Sequence, residues 1–319
     1  IRMCHDAGIH RVTISTHGLP FVKDESLLQE LSELRARIVL SFDSFDEEIN
    51  KKMVGARLHR AKMKVLDQLE KFNVDTTLIP VIALGYNDHE IGKLIDLTLQ
   101  KDFIRSLEIH TMTFTGQGGV HFDGASRMTT CEVLEEIERS TDGKLCMDDF
   151  VPSPCAHPLC YQTCYLLQMD QGKYFPFTRF MSRDQIRELL TDNLYIEPGK
   201  KLESVLQDVI DHLWSTESYA DVLQVLKGLI QRLFPQNKIT YAEQQRMSER
   251  AAKTIYIHSH MDEENFDMDR VRQCCVGVPG EDGTNVPTCS YNVLYRERDP
   301  RFAHGNFVPV TALTGGKKW

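Results

Sequence analysis

Six of the chain's nine cysteines fall in two tight groups. The first is Cys155, Cys160 and Cys164, inside Pro152-Ser-Pro-Cys-Ala-His-Pro-Leu-Cys-Tyr-Gln-Thr-Cys164. The second is Cys274, Cys275 and Cys289, with Pro287 two residues before the last thiol. Thiolate is a soft ligand suited to iron–sulfur clusters, zinc or copper(I). Neither group has the paired CxxC spacing of a zinc ribbon, which disfavours structural zinc. An odd total and clustered spacing also argue against a disulfide framework. Six thiols suffice for one four-cysteine cluster with two spare, or for two incompletely ligated clusters. An iron held by only three thiolates keeps a position open. The competing reading is that most of these are buried free thiols, since cysteine is among the most buried residue types. The density of the two groups favours metal, with Cys155, Cys160, Cys164, Cys274, Cys275 and Cys289 as ligands. Prolines 152, 154 and 158 exclude regular helix or a central strand, so the first group is expected on a loop with its thiols turned inward. A lone histidine is more often a hydrogen-bonded structural residue, and His157 and His110 are read that way. Cys4, Cys131 and Cys146 stand alone and receive no role.

Other candidates sit where strands are expected to end. Ser41 and Asp43, two apart on an extended stretch, face the same side and could hold a ribose or an amino-acid group. Equally, Asp43 and Asp46 could simply cap the following helix. Thr16-His17-Gly18 is a strand-end turn whose glycine permits positive φ or close backbone approach. Asn87-Asp88 could line a site or start a helix. Gly116-Gln-Gly-Gly119 lacks the lysine and hydroxyl residue of a phosphate-binding loop.

The elements that must carry these residues alternate. Residues 1–8 read as the end of a helix closed by Gly8. Strands are expected at 12–16, 38–42, 75–84 and 106–114, and helices at 26–34, 46–72 (interrupted near Gly55), 88–100 and 129–140. This order signals a parallel sheet with right-handed crossovers, doubly wound or barrel-like. Residues 142–180 read as a cysteine- and proline-rich loop region. Helices follow at 184–192, 200–214, 219–234 and 241–253, then a strand at 254–258 and a polar tail ending in Gly315–Trp319. The expected organisation is therefore 1–141 as part of a barrel and 142–319 as a Cys-rich, mainly helical iron–sulfur domain. Composition is ordinary for a globular protein of 319 residues, at 41% hydrophobic and 26% charged. The net charge of −9, without a basic cluster carrying interleaved aromatics, disfavours nucleic acid as a partner. The apolar run Leu78–Leu84 is too short to span a bilayer, and the reading is of a cytoplasmic protein.

Several of these features line up with one superfamily. Val12–Gly18 resembles the third strand of radical S-adenosylmethionine (SAM) enzymes, which typically ends Thr-Asn-Gly. Ile38–Asp46 resembles their fourth strand, with Ser41, Asp43 and Glu47 matching. Leu78–Glu90 resembles the fifth and Ser106–Gly119 the sixth. The chain is thus expected to carry strands 3–6 of a partial TIM-type (β/α)6 barrel. Pro154-Cys-x-His-Pro-x-Cys160, followed by Cys274-Cys275 and Pro-x-Cys289-x-Tyr-Asn292, is similar to the class D radical SAM methylases and to the related tetraether-lipid synthases. The superfamily's CxxxCxxC loop, which holds the SAM-cleaving 4Fe–4S cluster, is absent, as is its second-strand Gly-Gly-Glu motif. Both are expected upstream of Ile1, so the sequence is expected to be a fragment of a longer enzyme, against the alternative of a natural truncation without SAM chemistry.

The resemblance implies SAM and auxiliary 4Fe–4S clusters as cofactors, with Thr16, Ser41, Asp43 and Asn87 contributing to the SAM pocket. It implies C–C bond formation at unactivated carbon, by methylation or chain coupling, through a SAM-derived radical that abstracts hydrogen. The implied partners are a small-molecule or lipid substrate and an electron-donor protein. Two rival readings stand beside it: a different radical SAM reaction on a small molecule or peptide, and a non-catalytic iron–sulfur or zinc module serving electron transfer.

Overall fold

The computed structural model describes residues 1–115, 122–169, 172–280 and 283–299. Gly116–Gly119 and the tail Gly315–Trp319 lie outside them. A short helix, α1 (Arg2–Asp6), precedes strand β1 (Thr13–Thr16). Helix α2 (Glu25–Glu33) is capped by Asp24, which accepts from Leu27 N at 3.0 Å. Strand β2 (Arg37–Ser41) leads to α3 (Glu47–Val54) and α4 (His59–Lys71). Asp46 caps α3 through Glu48 N and Ile49 N, and Gly55 closes it at φ 78°. The interruption expected in this helical stretch is therefore a helix end and a restart.

The third strand is broken by Pro80 into β3 (Thr76–Ile79) and β4 (Val81–Ile82), since proline cannot donate to the ladder. Helix α5 (Ile91–Gln100) follows, then β5 (Ile104–Thr111) and α6 (Thr130–Ser140), which starts on a Thr129–Glu132 capping box. Asp88 is not the cap of α5; it closes the preceding turn by accepting from Gly85 N at 2.7 Å. Strands β1, β2, β3 and β5 pair in parallel in that order. All their C-terminal ends therefore lie on one edge.

Residues 142–180 depart from the expectation of a loop region. Within 142–180 lie β6 (Val151–Pro152), β7 (Tyr161–Gln168) and β8 (Tyr174–Pro176). Helices α7 (Arg183–Leu190), α8 (Lys200–Ser215), α9 (Ala220–Leu233) and α10 (Tyr241–Ala251) come next, and α10 runs directly into β9 (Ala252–His258). Strand β9 pairs in parallel with β5, Ser106 opposite Thr254 and His110 opposite His258, and antiparallel with β7. The result is one nine-stranded sheet that continues across residue 141. A helix α11 (Met268–Arg272), a hairpin of β10 (Gly277–Pro279) and β11 (Asn285–Pro287), and a single turn α12 (Thr288–Ser290) complete the description.

The sheet is covered on both faces. Ile38, Leu40, Leu78, Leu107 and Ile255 turn to one side and pack with Leu28, Leu66, Leu94 and Ile137 of the helices. On the other side Tyr165, Leu167 and Phe177 pack with Leu206, Leu226 and Leu233 of α8 and α9. Between this helical layer and polar sheet residues such as Thr77, Ser106 and Thr254 lies a cavity of about 140 Å³. Helix α10 is pinned to the N-terminal ends of the strands by Arg37–Glu249 and by Arg250–Asp75 at 2.8 Å. The mostly parallel α/β sheet fits a partial TIM-like fold. No helix among the described residues is long and apolar enough to cross a membrane.

Candidate metal and cofactor site

The C-terminal edge of a parallel α/β sheet is where βα loops build sites, and most of the candidates arrive there. Thr16 ends β1 and Ser41 ends β2. Thr16 Oγ1 accepts from Gly18 N at 3.0 Å. Gly18 has φ 77°, and a Cβ there would stand 2.6 Å from Val65 Cγ1 and 2.7 Å from Leu40 Cδ1, so both conformation and space demand glycine. Asp43 is buried and does not cap α3; its Oδ1 accepts from Val81 N at 3.0 Å. Burial pushes its carboxyl up from the ordinary range.

Asn87 is fully buried and serves as a brace. Its Oδ1 accepts from Ala83 N at 2.8 Å, and its Nδ2 donates to Asp43 O at 2.7 Å and Val81 O at 2.8 Å. Lys62, which the sequence reading passed over, reaches from α4 to donate to His17 O at 2.8 Å and Ser41 O at 2.6 Å. It thereby ties the ends of β1 and β2 together. Burial draws its ammonium down to about 8.

At the same edge, β5 and β9 carry Glu108, His110 and His258. Glu108 Oε1 accepts from His110 Nε2 at 3.1 Å, His258 Nδ1 at 3.3 Å and Tyr161 Oη at 3.2 Å. Burial would raise this carboxyl, but the hydrogen bonds from the two imidazoles outweigh it and hold it well below the usual carboxylate range. The His260 ring, just past β9, lies tilted 3.9 Å from the His258 ring and edge-on 5.0 Å from the His110 ring, centroid to centroid. The signal for these residues was a His-x-His pair at a strand end.

Five of the six grouped thiols are linked by pairwise interactions in a group that reaches His260 through Cys289. Cys289 Sγ lies 3.6 Å from His260 Nδ1 and accepts from Met261 N at 3.3 Å. Cys160 Sγ accepts from Arg270 Nε at 3.2 Å, and Arg270 also donates to Ser259 O at 2.7 Å. Cys275 donates to Cys155, which also meets Ser153 Oγ at 3.2 Å. The Cys275 hydrogen bond is the largest influence on Cys155 and lowers its thiol to about 6, while Cys275 is pushed up in turn. Cys274 donates to Val276 O at 3.1 Å and, with Cys160, acts electrostatically on Cys289. The β10–β11 hairpin explains why residues far apart in sequence meet. Gly277 pairs with Pro287, so Cys275 and Cys289, each two residues outside that pair, flank the same ladder.

Cys164 does not join them. It is fully buried in the core shared with Leu107, Leu166 and Ile255, and burial raises its thiol well above the ordinary value. The loop expected to turn it inward ends at Cys160. On β7, side chains alternate, sending Tyr165 and Leu167 to one core and Cys164 and Leu166 to the other. His157 accepts from Leu159 N at 3.2 Å and shapes its own turn.

The donor set of Cys155, Cys160, Cys274, Cys275 and Cys289 suits an iron–sulfur cluster. The thiols are soft, and they come together from two segments far apart in the chain.

Comparison with known proteins gives two findings. Residues 1–98 match the radical SAM superfamily. Over 325 residues the chain is 25% identical to 7,8-dihydro-6-hydroxymethylpterin dimethyltransferase of Methanocaldococcus jannaschii, covering 93% of this chain and 64% of that protein. The chain thus spans a little under two thirds of the length of this curated relative.

Proposed function

Residues 1–98 belong to the radical SAM superfamily, and from that premise we propose that the chain is part of a class D methylase-like radical SAM enzyme. Its reaction forms a C–C bond at an unactivated carbon. The dimethyltransferase named above favours methyl transfer over chain coupling, and a small molecule over a lipid, as the task of this chain. An electron-donor protein would serve as partner. The observation that carries the reading is that five thiols from two distant segments interact with one another, with Cys289 meeting His260 just past the C-terminal end of β9.

In this proposal Cys155, Cys160, Cys274, Cys275 and Cys289 hold one or more auxiliary clusters. Such a cluster, when bound, supplies electron transfer or an open iron for a substrate. The chain's own residues supply position. Lys62 and Asn87 lock the strand ends, so that Thr16, Ser41 and Asp43 present a fixed rim to SAM. Arg270 holds Cys160 and the Ser259 carbonyl in one geometry.

Anaerobic reconstitution of the chain with iron and sulfide tests the reading. It predicts bound iron and sulfide together with cluster charge-transfer absorbance. Iron and sulfide near zero would overturn it.

A further inference from the structure

The three histidines beside the thiols have no task in the function proposed above. One ring nitrogen from each of His110, His258 and His260 lies within 4.8 Å of those of the other two. A single ion placed among three imidazoles this close would draw their nitrogens in to ordinary metal–nitrogen distances of about 2.0–2.1 Å. Glu108 supports them from outside the trio. It accepts from Nε2 of His110 and Nδ1 of His258, which fixes both rings and leaves the opposite nitrogen of each as the metal-binding one. A carboxylate bonded to the outer nitrogen of a ligating histidine is the usual support at metal centres.

His110 and His258 face each other across the β5–β9 ladder, so two of the three rings stand on rigid strands.

We propose that His110, His258 and His260 form a mononuclear site for a divalent first-row metal such as Zn²⁺ or Fe²⁺, separate from the thiol cluster. Nitrogen donors suit these ions, whereas the thiols suit a cluster. Three protein ligands leave a coordination position for water or an anionic substrate group. The site stands at the edge where Asp43 and Ser41 also end. A substrate group bound to the metal would therefore sit beside the proposed SAM rim.

Co²⁺ titrated into the full chain after anaerobic loading with iron and sulfide tests this. The wild type is expected to bind a single Co²⁺ showing weak ligand-field bands without thiolate charge transfer. His258→Asn and His260→Asn should each weaken that binding by more than about tenfold, and Glu108→Gln by about 10–100-fold. His157→Asn should leave it unchanged, and iron and sulfide should be unaltered in all four variants. His260 is less buried than His258, so it carries the test where His258→Asn fails to fold. Equal Co²⁺ affinity in the histidine variants, or wild-type Co²⁺ bound only with thiolate bands, would overturn the proposal. So would loss of iron from His260→Asn, which would make His260 a cluster ligand. Because the ligand-field bands report nitrogen ligation directly, failure of the cluster reading would show separately, as missing iron and sulfide.

Discussion

The strand ends of the first half and the thiol group of the second use their polar side chains differently. At β1–β4 those groups are engaged with backbone. Asn87 holds Ala83 N, Asp43 O and Val81 O; Lys62 holds His17 O and Ser41 O; Asp43 holds Val81 N. Around the thiols several also lean on one another, Cys275 on Cys155, Arg270 on Cys160 and Cys289 on His260, beside backbone bonds made by Cys274, Cys289 and Arg270. A rim braced by its own backbone keeps its shape without a ligand. A group of thiols gains its full stabilisation only when something accepts them all, because binding to the folded state alone adds to stability. The first region is thus a frame and the second a receptor.

The largest effect that sharpens this contrast is expected at Asn87. Replacement by alanine leaves one buried N–H and two buried carbonyls without their side-chain partner, at a cost of about 1–3 kcal/mol for each group left unsatisfied. Denaturant unfolding should show a loss of several kcal/mol with iron per folded chain unchanged. Next comes Lys62. Its folded-state ammonium titrates at about 8, below the ordinary 10.5. Between those values the unfolded chain binds more protons than the folded one, so this residue makes stability rise with pH from about 8 to 10.5. Below about 8 both states carry the proton and the contribution is flat. The stability difference between wild type and Lys62→Met should therefore shift toward the wild type over that window. A difference constant with pH would show that Lys62 is not desolvated as placed. The smallest effect is expected at Cys164. Cys164→Ala removes one buried sulfur from a packed core, worth about 1 kcal/mol.

Much of the frame was legible in the sequence. The strands at 12–16 and 38–42 are found within a residue or two, because β-branched runs bounded by turns carry a local signal. Asp46 and Gly55 punctuate the helical stretch as caps do. The receptor was legible in its residue types and not in its assembly. Prolines 152, 154 and 158 coloured the whole first cysteine group as loop, yet the chain becomes a strand at Tyr161 because β9, nearly a hundred residues later, lies beside it. That partnership has no local pattern, and it is what sends Cys164 into the core. Lys62 was invisible because a lysine on a helix reads as solvated. His258 and His260 were legible as a spacing, but their meaning depends on His110 and Glu108 across the ladder.

The most direct test of the receptor is iron content, cysteine by cysteine, after identical anaerobic reconstitution. Cys155→Ala, Cys160→Ala and Cys289→Ala are each expected to lower bound iron. Cys164→Ala, Cys4→Ala and Cys131→Ala are expected to retain the wild-type amount. Equal loss at all six positions would mean that iron reports folding and not ligation. Loss at Cys164 with retention at Cys155 and Cys289 would contradict the thiol group described here.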